Sequence, residues 1–223
     1  MMLVAIVDDD ADLAGRMATD VEDAGFDASI VALSAGQTID VTIGQMMTAG
    51  VHAAICDHRL QHRVHVPFDG ARLVASLYER KIPAVLITRF FDQDFDVSIR
   101  RERHRIPVLL HRDTADPDEI NRAVNTAAQE ITNGAPPWRV PYRTVVRVED
   151  VRTEDVRVVD AIIPGWNPDN IVRFPLDVLP EDMRPRVAIG FRFFAKVNIG
   201  ASRTEDIFLV DPEFGSEGDD DGD

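Results

Sequence analysis

Three acidic positions stand where apolar runs end. Asp8 and Asp9 follow Leu3 to Val7, and Asp57 follows Val51 to Cys56; Thr88 closes a third run, Ala84 to Ile87. Carboxylates gathered in one place need a counter-cation. Carboxylate oxygens with room for water suit Mg²⁺, a hard ion that keeps part of its hydration and bridges to phosphate oxygens. Such an ion would offset the repulsion between an attacking Asp57 carboxylate and an incoming phosphoryl group.

These residues meet only if the chain folds so that the ends of the runs lie together. Leu3 to Val7, Ser29 to Leu33, Val51 to Cys56, Ala84 to Ile87 and Ile106 to Leu110 read as five buried strands. Helical spacing lies between them, as in Leu13, Met17 and Val21, or Leu73, Val74 and Leu77. A last helix is read from Ile120, Val124, Ala127, Ala128 and Ile131, with Gly134 as its C-cap. Alternation of this kind implies right-handed βαβ units, a parallel sheet with helices on both faces, and functional groups at its carboxyl edge. Asp9 or Asp10 also suits the cap of the first helix.

Residues 134–141, with three prolines and a glycine, read as a stiff connector after a first domain over 1–133. From 142 to 211 the period changes to two, in runs around Thr144 to Val148, Val156 to Val159, Phe191 to Val197 and Ile207 to Val210. Pro164-Gly165, Asn167-Pro168 and Gly200 break them, which predicts a small all-β barrel or sandwich with Trp166, Phe174 and Phe194 in its core. The acidic end, 212–223, predicts a disordered tail.

A net charge of −15 opposes a sequence-independent grip on nucleic acid, and no helix-turn-helix pattern supplies a recognition helix. The lone Cys56, inside an apolar run, reads as a buried core thiol. The opening run lacks the basic flank of a signal peptide and the length of a membrane span, so the expectation is a cytoplasmic protein with no membrane partner. His58, His62 and His65 invite a zinc reading, but no cysteine or carboxylate pair completes a familiar spacing, and a solvated loop is expected. The basic run Arg100 to Arg105 reads likewise as a solvated face.

The paired acids after the first strand, the aspartate after the third and the threonine ending the fourth make residues 1–133 resemble the receiver domain of bacterial response regulators. That resemblance implies a flavodoxin-like five-stranded parallel sheet. It implies Asp57 as phospho-acceptor, Asp8, Asp9 and Asp57 with the Arg59 backbone carbonyl as Mg²⁺ ligands, and Thr88 as the hydroxyl that moves onto the phosphate. It also implies a sensor histidine kinase or another protein as partner, with a homodimer as a further form, and a phospho-accepting regulator rather than a turnover enzyme.

Receivers usually carry a Lys followed by Pro at the end of the fifth strand. Leu110-His111-Arg112-Asp113 stands here, and His111 is expected in the Lys position, with Arg112 pointing elsewhere. Arg89 replaces the small residue that usually follows the threonine, Val108 the usual switch aromatic, and the loop after Asp57 is enlarged. These departures support a second reading, a phosphorylation-independent pseudo-receiver that serves as an interaction module. A third is a haloacid-dehalogenase-like phosphatase, from the faint likeness of Asp8-Asp9-Asp10 to that family's aspartate motif. The β domain resembles no family that its residues identify.

Overall fold

The computed structural model describes residues 1–89, 95–152 and 156–215, which divide into two compact units. The first comprises 1–89 and 105–134; the second comprises 95–104 and 135–215.

The first unit is a parallel sheet in the order β2-β1-β3-β4-β5, the doubly wound order of flavodoxin-like folds. Its strands are β1 (Leu3–Val7), β2 (Asp27–Ile30), β3 (Ala53–Asp57), β4 (Ala84–Thr88) and β5 (Val108–His111). The central strands are apolar up to the residues that end β3 and β4, because both faces are covered. Helices α1 (Ala11–Asp23), α2 (Ile39–Thr48), α3 (Gly70–Glu79) and, later in the chain, α5 (Pro117–Asn133) complete the βαβ pattern.

Their starts are written in short polar side chains that accept backbone N–H groups the first turn leaves over. Asp10 caps α1 through Asp12 N and Leu13 N; Thr38, Asp69 and Asp116 cap α2, α3 and α5. Pro117 opens α5 and Gly134, at φ 88°, ends it as expected. One core packs Met17 and Val21 of α1 and Ile120, Val124 and Ala127 of α5 against Val4, Ile6, Ile55, Val85 and Ile87.

The second unit is an antiparallel sheet in the order β10-β9-β6-β7-β8. Its strands are β6 (Tyr142–Arg152), β7 (Val158–Ile163), β8 (Asn167–Pro175), β9 (Arg192–Val197) and β10 (Leu209–Phe214). It is one five-stranded sheet rather than a barrel or sandwich, and Leu176, Leu179, Met183, Ala201 and Ile207 join its buried face. Phe174 and Phe193 are fully buried, whereas Phe194, the neighbour expected inside, faces the other way beneath the Arg143 guanidinium at 3.6 Å. Trp166 packs at the core's margin and donates from Nε1 to Ala201 O at 2.7 Å.

Three boundaries differ from the sequence reading. The connector groups with the second unit: Pro137–Arg139 forms a 3-10 turn and Arg139 is buried. Residues 95–104 also group with that unit, as a π turn (Phe95–Ile99), a helical turn α4 (Arg100–Glu102) and a 3-10 turn (Arg103–Arg105) that closes at the unit boundary. Arg100 and Arg103 are 4% and 3% exposed, so the basic run is not a solvated face. β10 runs on to Phe214, past the start of the expected tail, and residues 216–223 lie outside the described set. No helix among the described residues is long and apolar enough to cross a membrane.

Candidate functional site: an acidic pocket closed by arginine

The parallel register brings the chemistry to one edge. Val7 lies beside Cys56, Asp57 beside Ile87, and Thr88 beside His111, so the residues ending β1, β3 and β4 line one cavity of about 140 Å³. Asp8, Asp9, Asp10, Asp57, Arg59, Thr88 and Arg112 all face it.

Arg112 is its central cation. Its Nη2 stands 2.7 Å from Asp8 Oδ2 and 2.7 Å from Asp57 Oδ1, with side chains 9%, 3% and 14% exposed in that order. The two remaining oxygens take backbone donors, Asp8 Oδ1 from Asp10 N at 2.9 Å and Asp57 Oδ2 from Arg59 N at 2.8 Å. All four oxygens of the two inner carboxylates therefore accept a hydrogen bond from the chain itself.

The outer acids are served by the enlarged loop. Arg63 N donates to Asp9 Oδ2 at 2.6 Å, and Arg63 Nη2 lies 2.6 Å from Asp10 Oδ2. The loop is held by buried Leu60, Val66 and Phe68 and by Gly36 N donating to His65 O. It returns to α3 at Gly70, which lies against the Asp57 backbone. His62 lines the cavity, His65 is exposed and His58 is buried.

Burial raises the Asp8 carboxyl above its usual range; the Asp10 N–H and Arg112 oppose that rise, and the Asp57 charge adds to it. Burial disfavours the charged Arg112 guanidinium, yet Asp57 and Asp8 outweigh that and hold it firmly protonated. Cys56 is the buried thiol expected, its ionisation suppressed by burial.

His111 is not the residue on the carboxylates. It caps the 3-10 turn Arg112–Thr114, its Nδ1 accepting from Asp113 N at 3.2 Å. That turn ends the two-residue alternation of β5, so the next side chain, Arg112, enters the pocket instead. Arg89 is half-exposed at the cavity wall, 3.6 Å from Asp113.

A divalent ion does not fit beside this arrangement. The oxygens it would take from Asp8 and Asp57 are on Arg112, and Asp9 is turned to Arg63. No set of three His, Cys, Asp or Glu among the described residues is arranged to hold a metal. Two arginines that the sequence reading left out of the pocket, Arg112 and Arg63, thus supply its positive charge. The signal for Arg112 was present: among residues 110–113 it is the only permanent cation.

No family model matches the chain, and no curated protein matches it. The solved chains similar to its N-terminal part include response regulator receiver domains. One, from Clostridium thermocellum, is 11% identical with a TM-score of 0.46, covering 60% of this chain and 98% of its own. The receiver domain of a modulated diguanylate cyclase from Desulfovibrio desulfuricans is 19% identical at 0.47, covering 59% and 96%. That of NtrX from Brucella abortus is 16% identical at 0.44, covering 56% and 98%.

Proposed function

We propose that the chain is a response-regulator-like signalling protein whose receiver-type unit works without phosphoryl transfer, as an interaction module that meets other proteins. The observation that carries this reading is the bridge from Arg112 Nη2 to both Asp8 and Asp57. An aspartate that is to attack phosphorus needs a free oxygen and a cation shared with the incoming group. Here the Asp57 oxygens are held by Arg112 and Arg59 N, and the cation is tethered.

The guanidinium also supplies counter-charge to the two inner carboxylates. A pocket neutralised by its own side chain suits a constant docking surface better than a switch. The experiment is intact mass after incubation with Mg²⁺ and a small acyl-phosphate donor, beside Asp57→Ala. No Asp57-dependent gain is expected, and a phosphate-sized gain that needs Asp57 and Mg²⁺ would overturn the reading.

One observation favours the other reading, a regulator phosphorylated on Asp57 with Mg²⁺ by a histidine kinase. Asp57 and the buried Thr88 hydroxyl line the same cavity, the pairing that phosphorylation-driven rearrangement requires. In that case Arg112 would swing away to admit the ion and then take the phosphate. The phosphatase reading has less support, because Asp10 is committed to capping α1 and to Arg63.

A further inference from the structure

The chain leaves the parallel sheet after Thr88 and resumes it at Val108, yet residues 95–104 between these strands group with the antiparallel unit. Ile99 is fully buried there, and the segment packs along β8. Its two inner arginines reach the same short stretch, the 3-10 turn Thr204–Asp206 and the residue after it.

Arg100 Nη1 donates to Thr204 O at 2.8 Å and to Ile207 O. Arg103 Nε donates to Glu205 O at 3.1 Å, and its Nη2 to Asp206 Oδ1 at 2.7 Å. A turn ends with carbonyls that its own N–H groups cannot satisfy, and guanidinium forks reach several of them at once. Arg139 adds a bond from Nη2 to His104 O at 3.1 Å, with its guanidinium 5.3 Å from the Phe208 ring centre.

The turn is shaped to receive them. Asn198, fully buried, donates to Asp206 O at 2.9 Å and accepts from Phe208 N at 2.8 Å. Arg203 holds Asp206 from the other side at 2.8 Å.

We propose that residues 95–104 act as a clasp: an element encoded between two strands of the parallel unit but held by the antiparallel unit, through Arg100 and Arg103 on the 204–207 turn. Order in residues 98–104 then depends on order in that turn. The proposal does not depend on whether Asp57 accepts a phosphoryl group.

Hydrogen exchange on the full chain tests it, comparing wild type with Arg103→Gln. Amides of 98–104 and 203–208 are both expected to exchange at least about tenfold faster in the variant, a shift of about 1.4 kcal/mol in opening free energy. Those of 53–57 should keep their protection. Loosening of 98–104 alone, or of neither stretch, would overturn the clasp. Should the variant unfold, wild type under rising urea decides. There, 98–104 is expected to open with 203–208; exchange of 98–104 at lower urea, while 203–208 stays protected, overturns the proposal.

Discussion

Gly70 lies so close to Asp57 that a Cβ built on it would stand 1.9 Å from the Asp57 carbonyl oxygen and 2.7 Å from its carbonyl carbon. Both atoms are backbone, so neither can turn aside. Gly70 N also donates to His58 O at 2.9 Å, which fixes where the enlarged loop rejoins the fold. The glycine is therefore required by close approach of two segments of the backbone, at the strand end that carries Asp57.

Gly70→Ala is accordingly expected to lower stability by about 2 kcal/mol or more, since overpacking against an immovable backbone forces a shift of α3 or β3. Urea unfolding of the purified variant measures it. A loss under about 0.5 kcal/mol, the range of an ordinary surface change, would refute the close approach.

Asp160 is 3% exposed and takes Arg173 in a two-pronged pair, Nε to Oδ1 at 2.6 Å and Nη2 to Oδ2 at 2.9 Å, with Arg152 Nη2 also 2.9 Å away. It faces Arg173 directly across β7 and β8. Asp160→Ala is expected to cost about 2 kcal/mol. That is less than the 3–5 kcal/mol typical of breaking a fully buried pair, because both arginines reach water. Thermal unfolding followed in the β unit is the measurement, and an unchanged midpoint would count against the pairing.

Asp8 and Asp206 are expected to titrate on opposite sides of the ordinary aspartate value of 3.8. At Asp8, burial raises the carboxyl more than its donors lower it. At Asp206, burial is outweighed by hydrogen bonds and charge from Arg203 and Arg103. Stability linked to Asp8 is therefore fully present below 3.8 and lost as pH rises through its higher folded value. Stability linked to Asp206 is present above 3.8 and lost as pH falls through its lower folded value. Carboxyl-carbon NMR over an acid titration distinguishes the two, and coincident midpoints would refute the assignment.

Most of the parallel unit is legible in the sequence because its strands are apolar on both faces and its helices start with Asp or Thr caps. The run Leu3 to Val7 coincides with β1, while the second strand lies earlier than expected, at Asp27–Ile30. β8 is hidden because Asn167-Pro168 reads as a breaker, yet a proline is tolerated in an edge strand, where β8 lies. Residues 95–104 could not be assigned from sequence, since a run of arginines has the pattern of a solvated face. The carbonyls of the 204–207 turn and the Asp206 carboxylate give Arg100 and Arg103 partners in a buried place.

The candidate site divides in the same way. Asp8, Asp57 and Thr88 converge because strand ends in a parallel sheet must share an edge. Which cation meets them depends on one residue of turn geometry after β5, and placing the receiver lysine's counterpart at the strand's end selects His111 over Arg112.

Replacing Arg112 with Ala removes the bridge and leaves two inner carboxylates facing one cavity. The measurement that tests the central claim most directly is calorimetric titration of Mg²⁺ into wild type and Arg112→Ala. If Arg112 is the pocket's resident cation, the variant should bind Mg²⁺ at least about tenfold more tightly than wild type and regain thermal stability on binding. Equal or tighter binding by wild type, abolished in Asp57→Ala, would mean that the guanidinium yields to the metal. The pocket would then be a working phospho-acceptor site rather than a closed one.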